Sequence, residues 1–240
     1  MNKNKKYYLA KKKIKGVLTT RNIILNYQVG NDTSYPNSGT TLYDLTINGY
    51  NASLNGGVTY TTLSGKEVLT LNGSSGYILP PAATAMSDTD SFTFTGWVTA
   101  RSSGSGIVFA RGNDGFGSGW SISTVLTTTT LAFNVVVNGG NRPLSYSVSG
   151  VVLNKLYHIG CVYNRTTGKL RVYLDGVFKA EASCPVNGTL RSSTRGMVIG
   201  SLVNGNFFAG SIAEFQAYNV ALTDLEIESN YLFGLSTYNY

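Results

Sequence analysis

The stretch from Leu156 to Phe178, LYHIGCVYNRTTGKLRVYLDGVF, constrains the fold more than any other part of the chain. Tyr157, Ile159, Cys161 and Tyr163 alternate with His158, Gly160 and Val162, the period of a half-buried strand. Asn164 to Gly168 is polar and ends in glycine, as four- and five-residue hairpin loops often do. Leu170, Val172 and Leu174 then alternate with Arg171, Tyr173 and Asp175. Asp175-Gly176 is a hairpin signal, because both residues tolerate the positive φ that a type I′ turn demands. Val177 and Phe178 start the return strand, so the stretch reads as a β-meander.

The flanking sequence continues in kind. Strands are expected at Ile23–Val29, Val58–Leu63, Val68–Leu71, Tyr77–Leu79, Ser91–Ala100, Ile107–Ala110, Trp120–Val125, Thr130–Val137 and Leu144–Val152, with glycine turns between them. In the strand at 91–100, Phe92, Phe94, Gly96 and Val98 alternate with Thr93, Thr95, Trp97 and Thr99. Met197–Gly200 and the series Phe207, Ala209, Ser211, Ala213, Phe215 extend the pattern. One helix is expected at Asp224–Tyr231: Thr223 and Glu226 form a capping box, and Gly234 is placed to stop it. Charged residues are only 13% of the chain, the composition of a turn-rich β protein and not of a helix bundle. The expected architecture is an all-β, two-sheet antiparallel jelly-roll sandwich over 22–240, with one short C-terminal helix and a basic N-terminal arm.

The formal charge of +7 belongs to that arm. Residues 1–21 hold eight cations (Lys3, Lys5, Lys6, Lys11, Lys12, Lys13, Lys15 and Arg21) and no acid, which leaves 19 − 8 = 11 basic against 12 acidic residues beyond them. Tyr7, Tyr8, Leu9 and Ile14 are interleaved with the lysines. The arm therefore reads as an anchor on other subunits of an assembly, with nucleic-acid contact as a second use. No run approaches a membrane span, and the N-terminus lacks the apolar segment of a conventional secretory signal. Cys161 and Cys184 are expected as free thiols. The five Asn-x-Ser/Thr sequons carry no weight in a chain this rich in those residues.

The meander residues 156–163 and 168–176 resemble the W-H-x-V-x-V-Y-D … G-x-L-x-L-Y-V-D-G pattern of laminin-G-like, concanavalin-A-like jelly rolls, with Tyr157 in place of the usual Trp. Residues 198–200, 208–218 and 221–227 resemble that family's closing I-G … F-x-G-x-I-D-E-V-R-I-Y-N-R-A-L-S-x-x-E-I, with Ala213 where Asp is usual. Residues 69–78 resemble its L-x-F-N-G-x-x-D-Y-I strand. The run Ser34–Leu45 with Asn48–Leu54 resembles a variant found in phage and large-virus proteins. The resemblance implies binding of glycans or proteins, or the building of assemblies.

Catalytic residues are not expected. Glycosidases need paired carboxylates flanking one bond, and the only close acidic cluster, Asp224, Glu226 and Glu228, is explained by helix-start chemistry. His158, the single histidine, reads as a packing residue. The resemblance also suggests a Ca²⁺ at the rim, for which Asp32, Asp44 and Asp114 are loop acids of the right kind. Phe116, Trp120 and Tyr146, near glycine-rich loops, are the candidate sugar-stacking aromatics. The leading expectation is a non-enzymatic structural protein of a virion or similar assembly, held by its arm; the alternative is an extracellular lectin-like module for glycans or a host surface.

Overall fold

The computed structural model describes residues 16–81, 87–102, 106–111, 122–148, 151–191, 196–202 and 205–238. Its elements are β1 (Ile23–Gln28), β2 (Thr41–Leu42), β3 (Ala52–Asn55), β4 (Thr59–Leu63), β5 (Lys66–Asn72), β6 (Tyr77–Leu79), β7 (Phe92–Ala100), β8 (Ile107–Arg111), β9 (Ile122–Leu126), β10 (Thr130–Val137), β11 (Gly140–Ser147), β12 (Tyr157–Asn164), β13 (Lys169–Leu174), β14 (Val177–Ser183), β15 (Met197–Ile199), β16 (Ala209–Tyr218) and α1 (Asp224–Thr237). They form two eight-stranded sheets. Sheet one runs β14-β13-β12-β7-β16-β5-β4, with β1 also paired to β16; sheet two runs β11-β10-β9-β8-β15-β6-β3-β2. Every strand pairing is antiparallel. This is the expected jelly-roll sandwich.

The meander folds as its pattern dictates. Ile159, Cys161 and Tyr163 face Leu174, Val172 and Leu170 across β12 and β13. Asp175 and Gly176 have φ of 52° and 73°, so the turn is one that β-branched residues could not make. The apolar register of each strand meets that of the facing sheet. Phe92 of β7 meets Phe133 of β10 edge-on with ring centroids 6.0 Å apart, and Phe109 of β8 and Phe215 of β16 stack at 5.3 Å. Each fully buried ring of this kind stabilises the fold by about 1.5–3 kcal/mol. Both cysteines are free thiols, as expected.

Three features depart from expectation. The edge strand β11 of sheet two begins at Gly140 and ends at Ser147, where the pattern suggested Leu144–Val152. Asn138 and Gly139, with φ of 50° and 73°, close a two-residue hairpin that brings Gly140 opposite Val137. The helix continues to Thr237, past the glycine expected to stop it. Gly234 lies inside the helix because a Cβ there would sit 2.0 Å from Trp97 Nε1; the site needs the absence of a side chain and not a left-handed backbone. Finally, β16 carries a bulge between Ile212 and Glu214. The bulge ends the simple alternation from Phe207 to Phe215: Ile212 and Phe215 face the core, while Ser211 and Ala213 face α1 and its neighbours.

Candidate functional site

The outer face of sheet one is roofed by α1. Trp97 projects from β7 and His158 from β12, each on the register opposite the sandwich core, and Tyr231 of α1 closes over both. The ring centroids lie 5.4 Å apart for Trp97–Tyr231, 5.6 Å for Trp97–His158 and 5.9 Å for His158–Tyr231. His158 is 1% exposed, and neither ring nitrogen has a hydrogen-bond partner. Burial therefore lowers its pKa to about 3. It is a neutral packing residue, in line with the reading of the sequence. Helix and sheet approach closely because Gly160 faces Ile227 and Gly176 faces Tyr231.

Beside this aromatic group lies a buried polar network. Tyr238 OH donates to Gln28 Oε1 at 2.6 Å, Gln28 Nε2 to Asn26 Oδ1 at 3.1 Å, and Gln216 Nε2 to Glu214 Oε2 at 3.1 Å. Thr95 Oγ1 donates to Gln216 Oε1 at 3.0 Å, and Asn230 Nδ2 to Tyr218 OH at 2.9 Å. Residues 16–21 strap the helix from outside. Thr19 N–H donates to Asn230 Oδ1 at 2.8 Å, and Ser229 Oγ to Val17 O at 2.6 Å. Arg21 grips Glu226 through Nε and Nη2 at 2.8 and 3.0 Å. That guanidinium, with bonds from Thr223, lowers the Glu226 pKa to about 2. Arg21, expected in the arm, is thus tied to the folded body.

The acidic cluster on α1 does structural work. Glu226 closes the capping box with Thr223, and Asp224 Oδ1 accepts the Tyr173 hydroxyl at 2.7 Å. This matches the reading of Asp224 and Glu226 as helix-start residues.

At one end of sheet one, the β4–β5 hairpin, the loop before β12, the β13–β14 turn and α1 enclose a cleft of about 260 Å³. Leu63, Leu156, Trp97 and Tyr231 form its apolar part; Ser64, Lys66, Asn154, Lys155 and Asp175 supply polar groups. Lys155 Nζ lies 4.8 Å from the centroid of the Tyr157 ring. Asp175 Oδ1 accepts the His158 N–H at 3.1 Å, and burial raises its pKa. Sequence reasoning did not single this cleft out. Its signal was Trp97, a large aromatic on the threonine register of β7.

A sequence-family model described as the concanavalin A-like lectin/glucanases superfamily matches residues 72–228, more than half of the chain. The chain belongs to this superfamily. No curated protein matches it by sequence. Among solved structures, the superfamily fold of this chain is similar to the botulinum neurotoxin serotype G binding domain, at a TM-score of 0.66 and 16% identity, covering 90% of this chain and 52% of that one. The binding domain of Paraclostridial Mosquitocidal Protein 1 gives 0.64 and 16%, covering 88% and 52%. The binding domain of botulinum neurotoxin DC, in complex with rat synaptotagmin II, gives 0.64 and 18%, covering 90% and 52%. The chain spans about half the length of these domains, and identity this low establishes a shared fold.

Of the expected ligand and metal residues, Tyr146, Asp44 and Asp32 lie among the described residues. Tyr146 is half-buried on β11 and packs against the core, so it presents little open ring face. Asp44 is buried and saturated: Asn26 N–H and Thr46 N–H donate to Oδ1 at 2.9 and 3.1 Å, and Thr46 Oγ1 and Tyr50 N–H donate to Oδ2 at 2.6 and 3.0 Å. It organises its loop, a role that leaves few lone pairs for calcium. Asp32 is exposed on a separate turn. Among the described residues no group of three or more His, Cys, Asp or Glu is arranged to hold a metal ion. Phe116, Trp120 and Asp114, and the arm lysines Lys3, Lys5, Lys6, Lys11, Lys12, Lys13 and Lys15, lie outside the described residues. No helix among the described residues is long and apolar enough to cross a membrane.

Proposed function

We propose that the chain is a non-enzymatic binding module, held in a virion or similar assembly by its basic N-terminal segment. The strap supports this reading most directly. A Cβ at Gly16 would lie 2.0 Å from Phe233 N, so the chain is pressed onto α1 where residues 1–15, with seven lysines, begin. Basic segment and near-neutral jelly roll are therefore joined at a fixed point on the helix-covered face. The cleft opens at the end of the sheet, at the β4–β5 hairpin and the β13–β14 turn. The body has the fold of domains named for binding, which supports a binding role. The test compares the full chain with one starting at Gly16. Only the full chain should co-sediment with large assemblies from its native source. Equal recovery of the shortened chain refutes the anchor. Loss of recovery at high salt in the presence of nucleic acid alone would assign the lysines to nucleic acid instead.

A second reading, lectin-like recognition of glycans or a host surface by the same body, is favoured by the cleft, where sugar-binding side-chain types surround an apolar floor. A glycan array probed with the full chain tests it, and an array without signal refutes it.

A further inference from the structure

We propose that the cleft beside Trp97 is a subsite for an acidic sugar unit, a ring bearing one carboxylate, in preference to a neutral one. This rests on the lectin-like reading of the jelly roll. Two lysines reach the cleft from separate elements, Lys66 from β5 and Lys155 from the loop before β12. Among the described residues neither forms a salt bridge; Lys155 lies over the Tyr157 ring and acts at longer range on the Asp175 carboxylate. Two ammonium groups against the single Asp175 carboxylate, at a partly enclosed site, favour an anion there.

The rest of the lining says what the anion is attached to. Ser64, Asn154 and Asp175 are the hydroxyl, amide and carboxylate groups that bind sugar hydroxyls. Asp175 is held in place by the His158 N–H on Oδ1, which leaves Oδ2 to accept from a ligand. Its charge also disfavours a densely anionic ligand: two cations against one acid match a single carboxylate per ring. Leu63 and Leu156 offer apolar contact to the C–H face of a sugar, and a cavity of about 260 Å³ suits one ring. Trp97 and Tyr231, at 2% and 5% exposure, show only ring edges. Stacking therefore contributes little, and the lysines set the preference.

The test is an NMR titration of the ¹⁵N-labelled full chain with sodium glucuronate and with glucose, at low and moderate salt. Glucuronate should shift the amide signals of Ser64, Asn154, Lys155 and Asp175, with an affinity at least about tenfold above that for glucose. Lys66→Gln with Lys155→Gln should erase the preference. Lys169→Gln with Arg191→Gln, which removes the same charge elsewhere, should preserve it. Equal binding of glucose at these signals overturns the acidic preference while the lectin-like reading survives. No shift at these signals with either sugar overturns the subsite, and the array then decides the broader reading. A preference that persists in the Lys66/Lys155 variant also overturns the proposal.

Discussion

Mild acid should destabilise this protein through one side chain. His158 is the single histidine, and it is buried beneath Trp97 and Tyr231 with both ring nitrogens unpartnered. In the unfolded chain an imidazole titrates near 6.5, whereas in the fold burial holds His158 at about 3. Between these values the unfolded state binds the extra proton, so the stability is fully present above pH ~6.5 and is lost as the pH falls. At 1.36 kcal/mol per pKa unit, the loss between pH 7 and pH 4.5 amounts to about 2.5 kcal/mol. Asp175 accepts the backbone N–H of His158, and Lys155 and Lys179 act on that carboxylate. Asp175, whose pKa burial raises, acts with the opposite sign: its folded form takes up a proton first and gains stability in acid. A comparison with His158→Phe isolates the imidazole. Urea unfolding at pH 7 and 4.5 should show the wild-type midpoint falling by about 1 M more than that of the variant. At pH 7 the variant should be at least as stable, since no hydrogen bond is removed. Parallel pH dependences of the two proteins would refute the reasoning. So would an imidazole ¹H signal titrating near pH 6.5 in the folded chain.

Four further outcomes follow from the helix face and the loops. Glu226→Ala should cost about 1–2 kcal/mol in urea unfolding, from the lost capping box and the Arg21 pair. Its pKa is lowered to about 2, so its contribution is present above pH ~4.5, is lost as the pH falls towards 2, and should vanish in the variant's acid profile. Removing residues 1–21 should lower the melting temperature more than removing residues 1–15, because only the longer deletion severs the Val17, Thr19 and Arg21 bonds to α1; equal effects would show that the strap contributes nothing. Gly176→Ala should destabilise by roughly 1–3 kcal/mol, since its φ is 73° and its Cβ would lie 2.9 Å from that of Tyr231. Asp44→Ala should lower the melting temperature by stranding four donors, while EGTA should leave that of the wild type unchanged.

Much of the fold was legible because local and long-range signals agreed. The alternation in β12 and β13, with Asp175-Gly176 between β13 and β14, fixes a register that the facing sheet then rewards with burial. Thr223 and Glu226 announced the start of α1 through chemistry contained within four residues. Its end was misread because Gly234 has two physical uses. A glycine near a helix end commonly supplies a left-handed stop, but here it supplies close approach to Trp97, a residue far away in sequence. Asn138-Gly139 was overlooked although it is a hairpin signal of the same kind as Asp175-Gly176. The segment reads only as a glycine turn between strands, and the apolar pattern that places the next strand starts later, at Leu144.

The helix-covered face was hidden for a deeper reason. Alternation assigns a strand one wet and one dry side, yet here the central strands of sheet one, β7, β12 and β16, are covered on both. Thr95, Gln216 and Glu214 lie on the register opposite the core, but they are buried: Thr95 bonds Gln216 across β7 and β16 and accepts from Asn230 of α1, and Glu214 accepts from Gln216 along β16. The bulge in β16 compounds the effect, because it sets Glu214 opposite Trp97 and moves the remaining residues by one position. The clue was the mixture itself: Trp97 among threonines and His158 beside Gly160 require a cover, and the one helix expected from the sequence lay at the C-terminus. The rim cleft follows from that cover, since Tyr231 of α1 meets the two hairpins there. Its lysines come from positions about ninety residues apart in sequence (Lys66 and Lys155), and no spacing rule could have paired them before the sheet brought β5 and β12 to the same end.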